Sequence, residues 1–433
     1  MRQSAVILSF SWLLAPLQLL TAVIVARAVG PEGKGALALL TGLTAILVSL
    51  VGLGTPSGAA VLYRQGSHTR AEVIATGLSI TAAASLLFLI AYLWGGTRLL
   101  AGLLSERDLA NLEPVWILLA LVAVTPAALS ALADVVLIAA NAMRVYATRT
   151  ATSGLLAVAL TWVLTFHLGW GVTGALASYP IAAILGLGLF ALWWRKQDDL
   201  GHPQVTVRCT RALLRVGVQQ HVISIIALVA KRVDVFLIAG LLSLQEAGYY
   251  AAAILIPQAI VSIPRATMWP LVSSLPVGRA DVPEAVAQIS RLQVLLMALI
   301  SLALLPLARL IVTTLFGEAF APSVAPFQWA LAGLAFTPVT ITVNAILTAR
   351  SQPGLSILSA VLGTGIQLIL MILLIPKWGT SAAAAALSVN FITTAVVQLA
   401  ILKSRGIRSG AMLIPRPHDF GDLVRALRAR AAP

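Results

Sequence analysis

Cysteine is nearly missing from this chain: Cys209 is the single one in 433 residues. A disulfide framework is therefore excluded, and so is a thiolate metal cluster. Charge is scarce as well, at 10% of residues against 59% hydrophobic. The motifs of several enzyme classes are also wanting. There is no Walker loop, no His and Glu pair at zinc-protease spacing, and no Gly-x-Ser-x-Gly elbow. Asp198, Asp199 and His202 cluster, but in a polar stretch that reads as a solvated charge run. No cofactor and no catalytic site are expected.

What is present is apolar sequence. Runs of 18 or more recur from end to end and leave no room for a sizeable soluble domain. The N-terminal MRQSAVILSFSWLLAPLQLLTAVIVAR has a charged start and a long apolar body with no small-residue cleavage site. It reads as a first span and not as a removed signal. Candidate spans cover roughly 5–26, 36–62, 73–93, 114–140, 151–168 and 172–193, and then 212–242, 249–275, 286–308, 325–348, 354–375 and 380–402. The expected fold is an all-α polytopic membrane protein of twelve helices. Its expected parts are an N-terminal six-helix lobe (1–198), a cytoplasmic linker (199–211), a C-terminal six-helix lobe (212–402) and a basic tail (403–433).

The two sets of six resemble each other. ARAVGPEGKGALAL from Ala26 aligns with AGLLSLQEAGYYAA from Ala239 and places Gly35 on Gly248. GWGVTGALA from Gly169 sits like KWGTSAAAA from Lys377, with Trp170 and Gly171 on Trp378 and Gly379. Arg144 likewise falls on Arg350. Internal symmetry of this kind marks repeat-built transporters, and six being even makes the repeat parallel.

Basic residues set the orientation. With a cytoplasmic N-terminus, twenty of the 29 Lys and Arg residues fall in inner segments, six in outer segments and three within spans. The excess places both termini in the cytoplasm. The net charge of +14 is then topology, and no nucleic-acid partner is expected. Phe420, Leu423, Val424 and Leu427 share one helical face with Arg425, Arg428 and Arg430 elsewhere, so the tail reads either as a helix lying on the anionic inner leaflet or as a disordered basic segment.

Ionisable groups inside spans cost from about 2.5 to over 10 kcal/mol near the bilayer centre, so each needs a reason. LVAKRVDVFLIAG, residues 228–240, carries Lys231, Arg232 and Asp234. Lys231 and Asp234 are three apart and share a face, whereas Arg232 points about 100° away from Lys231. Arg265 lies in AILIPQAIVSIPRATMWP, where Pro257, Pro264 and Pro270 should kink the helix. Asp134 completes the set in the fourth span. With more bases than acids among them, the expectation is a cationic, water-filled cavity. The alternative is that these charges only pair with one another. Gln18, Asn141, Asn344, Gln367 and Asn390 are candidates to meet sugar hydroxyls, and for each one glue between helices is the preferred reading.

ARAVGPEGKGALAL, KRVDVFLIAGLLSLQEAGYYAAA, LFGEAFAPS and LIPKWGTSAAAAALSV resemble, in order and spacing, segments of bacterial polysaccharide flippases. These are the O-antigen and exopolysaccharide repeat-unit exporters of the multidrug, oligosaccharidyl-lipid and polysaccharide (MOP) superfamily. The resemblance runs to about Leu402. It implies two six-helix lobes of MATE-like architecture and alternating access in the bacterial inner membrane. It also implies movement of undecaprenyl-diphosphate-linked glycan from the inner to the outer leaflet. The family pattern carries over to Arg232 and Asp234 in KRVD and to Gly317 and Glu318 in LFGEAF. Members often have a further basic residue after the aspartate, where this chain has Val235.

The expected function is thus a lipid-linked oligosaccharide flippase. Lys231, Arg232 and Arg265 would bind the diphosphate, Asp234 would hold Lys231, and Asp134 is a further candidate. Its expected partners are the polyprenyl-diphosphate glycan and the bilayer, with a polysaccharide polymerase or ligase a further candidate. Two other readings stand beside it. A cation-coupled exporter of small amphiphiles would titrate Asp134 or Asp234, but the first span holds no acid. A polytopic glycosyltransferase or polymerase would need an acidic pair at a membrane face or a large outer loop, and the longest outer loop, 94–113, is short.

Overall fold

The computed structural model describes residues 2–95, 111–196, 204–265, 268, 284–350, 352–405, 412 and 416, with the backbone alone at 2–15, 219–220, 222–231, 285, 349 and 353. Among these residues every regular element is a helix. Asp198, Asp199 and His202, Pro270 and the tail beyond Arg416 lie outside the described residues.

The helices are α1 (Arg2–Gly52), α2 (Thr55–Gln65), α3 (Arg70–Gly95), α4 (Pro114–Val122), α5 (Val124–Ala139), α6 (Met143–Trp162), α7 (Gly171–Arg195), α8 (Val207–Leu241), α9 (Leu244–Ile260), α10 (Glu284–Phe316), α11 (Val324–Ala332), α12 (Thr337–Ala349) and α13 (Pro353–Ser404). α1 is two helices joined at a kink at Gly30, and α13 is two joined at Gly379. α4 and α5 form one span, as do α11 and α12, with the short helical turns Glu318–Ser323 and Leu334–Phe336 before and between them. Counted this way, six spans precede residues 197–203 and six follow. The structure therefore has the twelve-span, all-α organisation read from the sequence. Two loops expected from hydropathy shrink to single-residue breaks, because at Gly30 and at Gly379 one glycine leaves helical geometry between two helices.

Hydrocarbon offers no hydrogen-bond partner, and several hydroxyls in the spans bond to their own helix. Thr21, Thr41, Thr44 and Ser85 each donate to the carbonyl four residues back, at 2.7–2.9 Å. Pro257 lies inside α9, and α9 ends at Ile260, the residue whose carbonyl the Pro264 ring would strike.

The chain forms two compact units, Met1–Ala251 and Ala252–Pro433. In the first, Leu62, Tyr63, Ile74, Leu132, Val136, Leu137, Phe190, Cys209 and Leu213 form one apolar cluster from α2, α3, α5, α7 and α8. In the second, Val286, Val339, Val343, Leu347, Leu402 and Met412 do the same.

Within the first unit the repeat is visible in atomic detail. A Cβ on Gly35 would stand 1.7 Å from the carbonyl oxygen of Leu244, and a Cβ on Gly248 would stand 1.9 Å from that of Pro31. Each glycine meets the residue four before the other. The contact between residues 31–52 and α9 is thus reciprocal, at the two positions that the internal alignment equates. Small residues let helix backbones approach this closely in membranes. α8 lies equally close to α2, since a Cβ on Gly54 would meet Gly217 O at 2.2 Å and one on Gly58 would meet Leu213 O at 2.6 Å. The second aligned pair agrees. Gly171 and Gly379 both have positive φ, 52° and 57°, and each follows an exposed tryptophan, Trp170 (53%) and Trp378 (65%). Tryptophans so placed suit the membrane–water interface.

Gly35→Ala or Gly248→Ala forces a backbone carbonyl aside and is expected to destabilise by about 1–3 kcal/mol or more. Gly188→Ala, with nothing within 4 Å of its added Cβ, is the matched control. Thermal unfolding in detergent checks this, and equal melting of all three variants would contradict the close approach.

Candidate functional site

α8 carries the charged run, and the structure separates its members. Thr206 caps the helix by accepting from Cys209 N–H at 3.1 Å, and the helix then runs 35 residues, about 50 Å. Arg232 is exposed. Its Cδ lies 4.0 Å from where a Gly42 Cβ would stand, and the ring of Phe236, one turn on, lies 3.2 Å from the same point. The absence of a side chain at Gly42 thus leaves room for the Arg232 stem beside α1. Among the described residues no carboxylate lies within ion-pair distance of it.

Asp234, two residues on and about 200° around the helix, is 5% exposed. One carboxylate oxygen accepts from Tyr250 Oη at 2.7 Å and the other from Val235 N–H at 2.8 Å. Tyr250 is wholly buried, so the bond ties α8 to α9. Asp234 thereby has a positioning role toward Tyr250. Lys231, the partner expected for it, lies where only the backbone is described.

Asp134 on α5 pairs with Arg149 on α6, whose Nη2 also donates to Ser130 O at 3.0 Å. Sequence counting assigned Arg149 to an inner segment; α6 begins earlier, at Met143, and takes Arg149 in as a side chain only 4% exposed. Gly186 on α7 makes the room, since its Cβ would fall 2.1 Å from Ser153 Oγ and 3.5 Å from Arg149 Nη1. The Asp134 carboxylate remains one-third exposed, at 33%. Asp134 therefore has a partner on its own hairpin.

In the second unit Arg265 is exposed, five residues beyond the end of α9. The amides there bridge helices. Asn390 Nδ2 donates to Gln367 Oε1 at 2.6 Å, and Gln398 Nε2 donates to Asn344 Oδ1 at 2.8 Å and Ser359 Oγ at 3.1 Å. Asn344, Gln367 and Asn390 are thus glue between helices, whereas Gln18 and Asn141 are exposed. Gly317 closes α10, its N–H bonding Thr313 O at 2.9 Å, and Glu318 is exposed just after it.

Tyr250 and Arg149 are the partners that reading the sequence missed, and a signal for both exists. Asp134 and Arg149 are equidistant from the turn at 141–142, Asp234 and Tyr250 from Leu242, Gln367 and Asn390 from the Trp378–Gly379 kink, and Thr161 and Ser178, which bond at 2.8 Å, from Gly169–Trp170. Two antiparallel helices joined by a tight turn bring such mirrored positions face to face.

This is a multi-pass membrane protein whose fold is that of the MOP superfamily transporters. It matches an inward-facing multidrug resistance transporter of the MATE family with TM-score 0.74 and 15% identity over 94% of this chain and 98% of that one. It matches the lipid II flippase MurJ in an inward closed conformation with TM-score 0.77 and 14% identity over 94% and 89%. A MOP superfamily transporter from Pyrococcus furiosus aligns with TM-score 0.62 and 15% identity over 95% of both chains. No curated protein matches the sequence. The chain belongs to the polysaccharide biosynthesis protein family, whose model matches residues 1–275.

Removing Asp134 strands a buried guanidinium, whereas removing Arg149 leaves a carboxylate that is one-third exposed and can take up a proton. Asp134→Ala is therefore expected to destabilise more than Arg149→Ala, with about 3–5 kcal/mol as the ceiling for breaking a buried pair. Tyr250→Phe is expected to cost about 1–3 kcal/mol by leaving Asp234 short of a donor. Denaturation of the purified variants gives both values, and the reverse order for Asp134 and Arg149 would refute the burial argument.

Proposed function

We propose that the protein is a flippase that carries polyprenyl-diphosphate-linked oligosaccharide across the bacterial cytoplasmic membrane by alternating access, for cell-surface polysaccharide synthesis. The observation that carries this reading is the exposed Arg232 in the apolar run of α8, in a chain of a polysaccharide biosynthesis family. Family membership and the fold shared with a lipid II flippase support a lipid-linked substrate. A head group crossing hydrocarbon unaided would lose about 4–8 kcal/mol for each unpaired hydroxyl. The protein supplies a polar path while the lipid tail stays in the bilayer.

In this reading Arg232 holds the diphosphate by charge-assisted hydrogen bonds, together with Lys231 and Arg265. Asp234 keeps α8 fixed on α9 beneath Arg232, and Asp134 stands as a further polar contact. The six-helix lobes 1–198 and 212–402, joined by the linker 199–211, are the moving parts, and both termini together with the 403–433 tail are cytoplasmic. A polysaccharide polymerase or ligase would take up the product outside. A cation-coupled exporter of small amphiphiles would need an acid free to bind its ion, and the described acids Asp134 and Asp234 both have partners already.

Flux of a short-tailed diphosphate-linked sugar in proteoliposomes tests the reading. Arg232→Ala is expected to lower it roughly 10- to 100-fold, the equivalent of about 1.5–3 kcal/mol for hydrogen bonds to a charged group, with Arg232→Lys in between. Unchanged flux in Arg232→Ala would remove Arg232 from the site. Equal flux of a neutral short-tailed lipid-linked sugar would remove the diphosphate from the reading.

A further inference from the structure

One cluster has no place in that function. At one end of the first unit, the turn that links α2 to α3 holds His68, the first turn of α3 holds Glu72, and the first turn of α8 holds Cys209. The His68, Glu72 and Cys209 donor atoms all lie within 4.8 Å of one another. His68 and Glu72 side chains are 8% and 15% exposed and Cys209 is buried. Two helix caps set this geometry: Thr69 accepts from Glu72 N–H at 3.2 Å, and Thr206 accepts from Cys209 N–H at 3.1 Å. Thr206 Oγ1 also donates to Glu72 Oε1, which leaves Oε2 turned toward His68.

We propose that His68, Glu72 and Cys209 are the three protein ligands of a zinc-class divalent cation, with water in the fourth position. The donor set is one imidazole, one carboxylate and one thiolate, the mixture that Zn2+ takes in tetrahedral sites. One edge of the triad has the length a tetrahedral site needs. His68 Nδ1 and Glu72 Oε2 are hydrogen-bonded at 3.3 Å. That separation matches the nitrogen–oxygen edge of about 3.3 Å in a tetrahedron with bonds of about 2.0–2.1 Å. The Thr206 hydroxyl is the outer partner that orients the carboxylate. On binding, sulfur loses its proton to solvent and forms the metal–sulfur bond, so charge balances as one proton leaves. The zinc motifs sought in the sequence miss this triad because His68 and Glu72 are four apart with the third ligand far along the chain. The bound ion would fasten the start of α8 to the α2–α3 turn, on the cytoplasmic side in the proposed orientation.

Because Cys209 is the only cysteine, Co2+ reads the site directly. The untagged full-length protein in detergent is titrated with Co2+, and the sulfur-to-cobalt charge-transfer band is followed. The expected result is one equivalent bound with that band, displaced by Zn2+, absent in Cys209→Ser and weakened at least about tenfold in His68→Ala and Glu72→Gln. Zn2+ should also raise the melting temperature of the wild-type protein and leave that of Cys209→Ser unmoved. Absence of a thiolate band in the wild-type protein, or a band of undiminished affinity in both His68→Ala and Glu72→Gln, would overturn the proposal. Flux of lipid-linked sugar is not the readout, so failure here leaves the flippase reading untouched.

Discussion

Everything in this protein follows from a solvent that accepts no hydrogen bonds. In hydrocarbon each backbone amide must be satisfied inside its own helix, and each polar side chain must find its partner within the protein or face water. Helices then gain little from burying apolar faces against each other, and close backbone approach takes over as the source of attraction. Gly35, Gly248, Gly54 and Gly217 are where that approach happens. The polar pairs are the second means of cohesion, and several occur within hairpins, where the turn has already placed the two positions opposite.

These two devices explain why Arg232 stands apart. Asp134 with Arg149, Asp234 with Tyr250 and Gln367 with Asn390 are each completed within one hairpin. Arg232 has room for its stem beside Gly42 and is exposed as a residue. In the proposed function this exposed base on α8 is a fixed positive charge offered to an anionic head group.

The fold was legible because hydrophobic length is a strong signal in a membrane protein, and because Gly35 and Gly248 stand at matching places in two similar segments. The kinks at Gly30 and Gly379 were not legible as single-residue breaks, since hydropathy falls at VGPEGKG and at KWG whether the backbone leaves the helix for one residue or for a whole loop. Arg232 and Asp234 were found through charge in an apolar run, but that one is exposed and the other buried depends on a rotation of about 200° that hydropathy does not weigh. Tyr250 and Arg149 escaped because neither looks anomalous alone. Tyrosine is ordinary in a span, and Arg149 passed for a loop residue until the start of α6 at Met143 moved it inward. Each becomes visible once positions are compared across the turn instead of along the helix.

The reciprocal seat of Gly35 and Gly248 has a bearing on ancestry. Two positions that each meet the residue four before the other, in segments of like sequence, are related as a surface patch is to itself across a two-fold axis. A six-helix chain that paired with its own copy would make this contact from a single glycine used twice. In such a homodimer, any larger residue there would clash on both sides at once. In one polypeptide the two glycines are separate sites open to separate substitution, and Arg232 stands in one copy of the helix and not in the other.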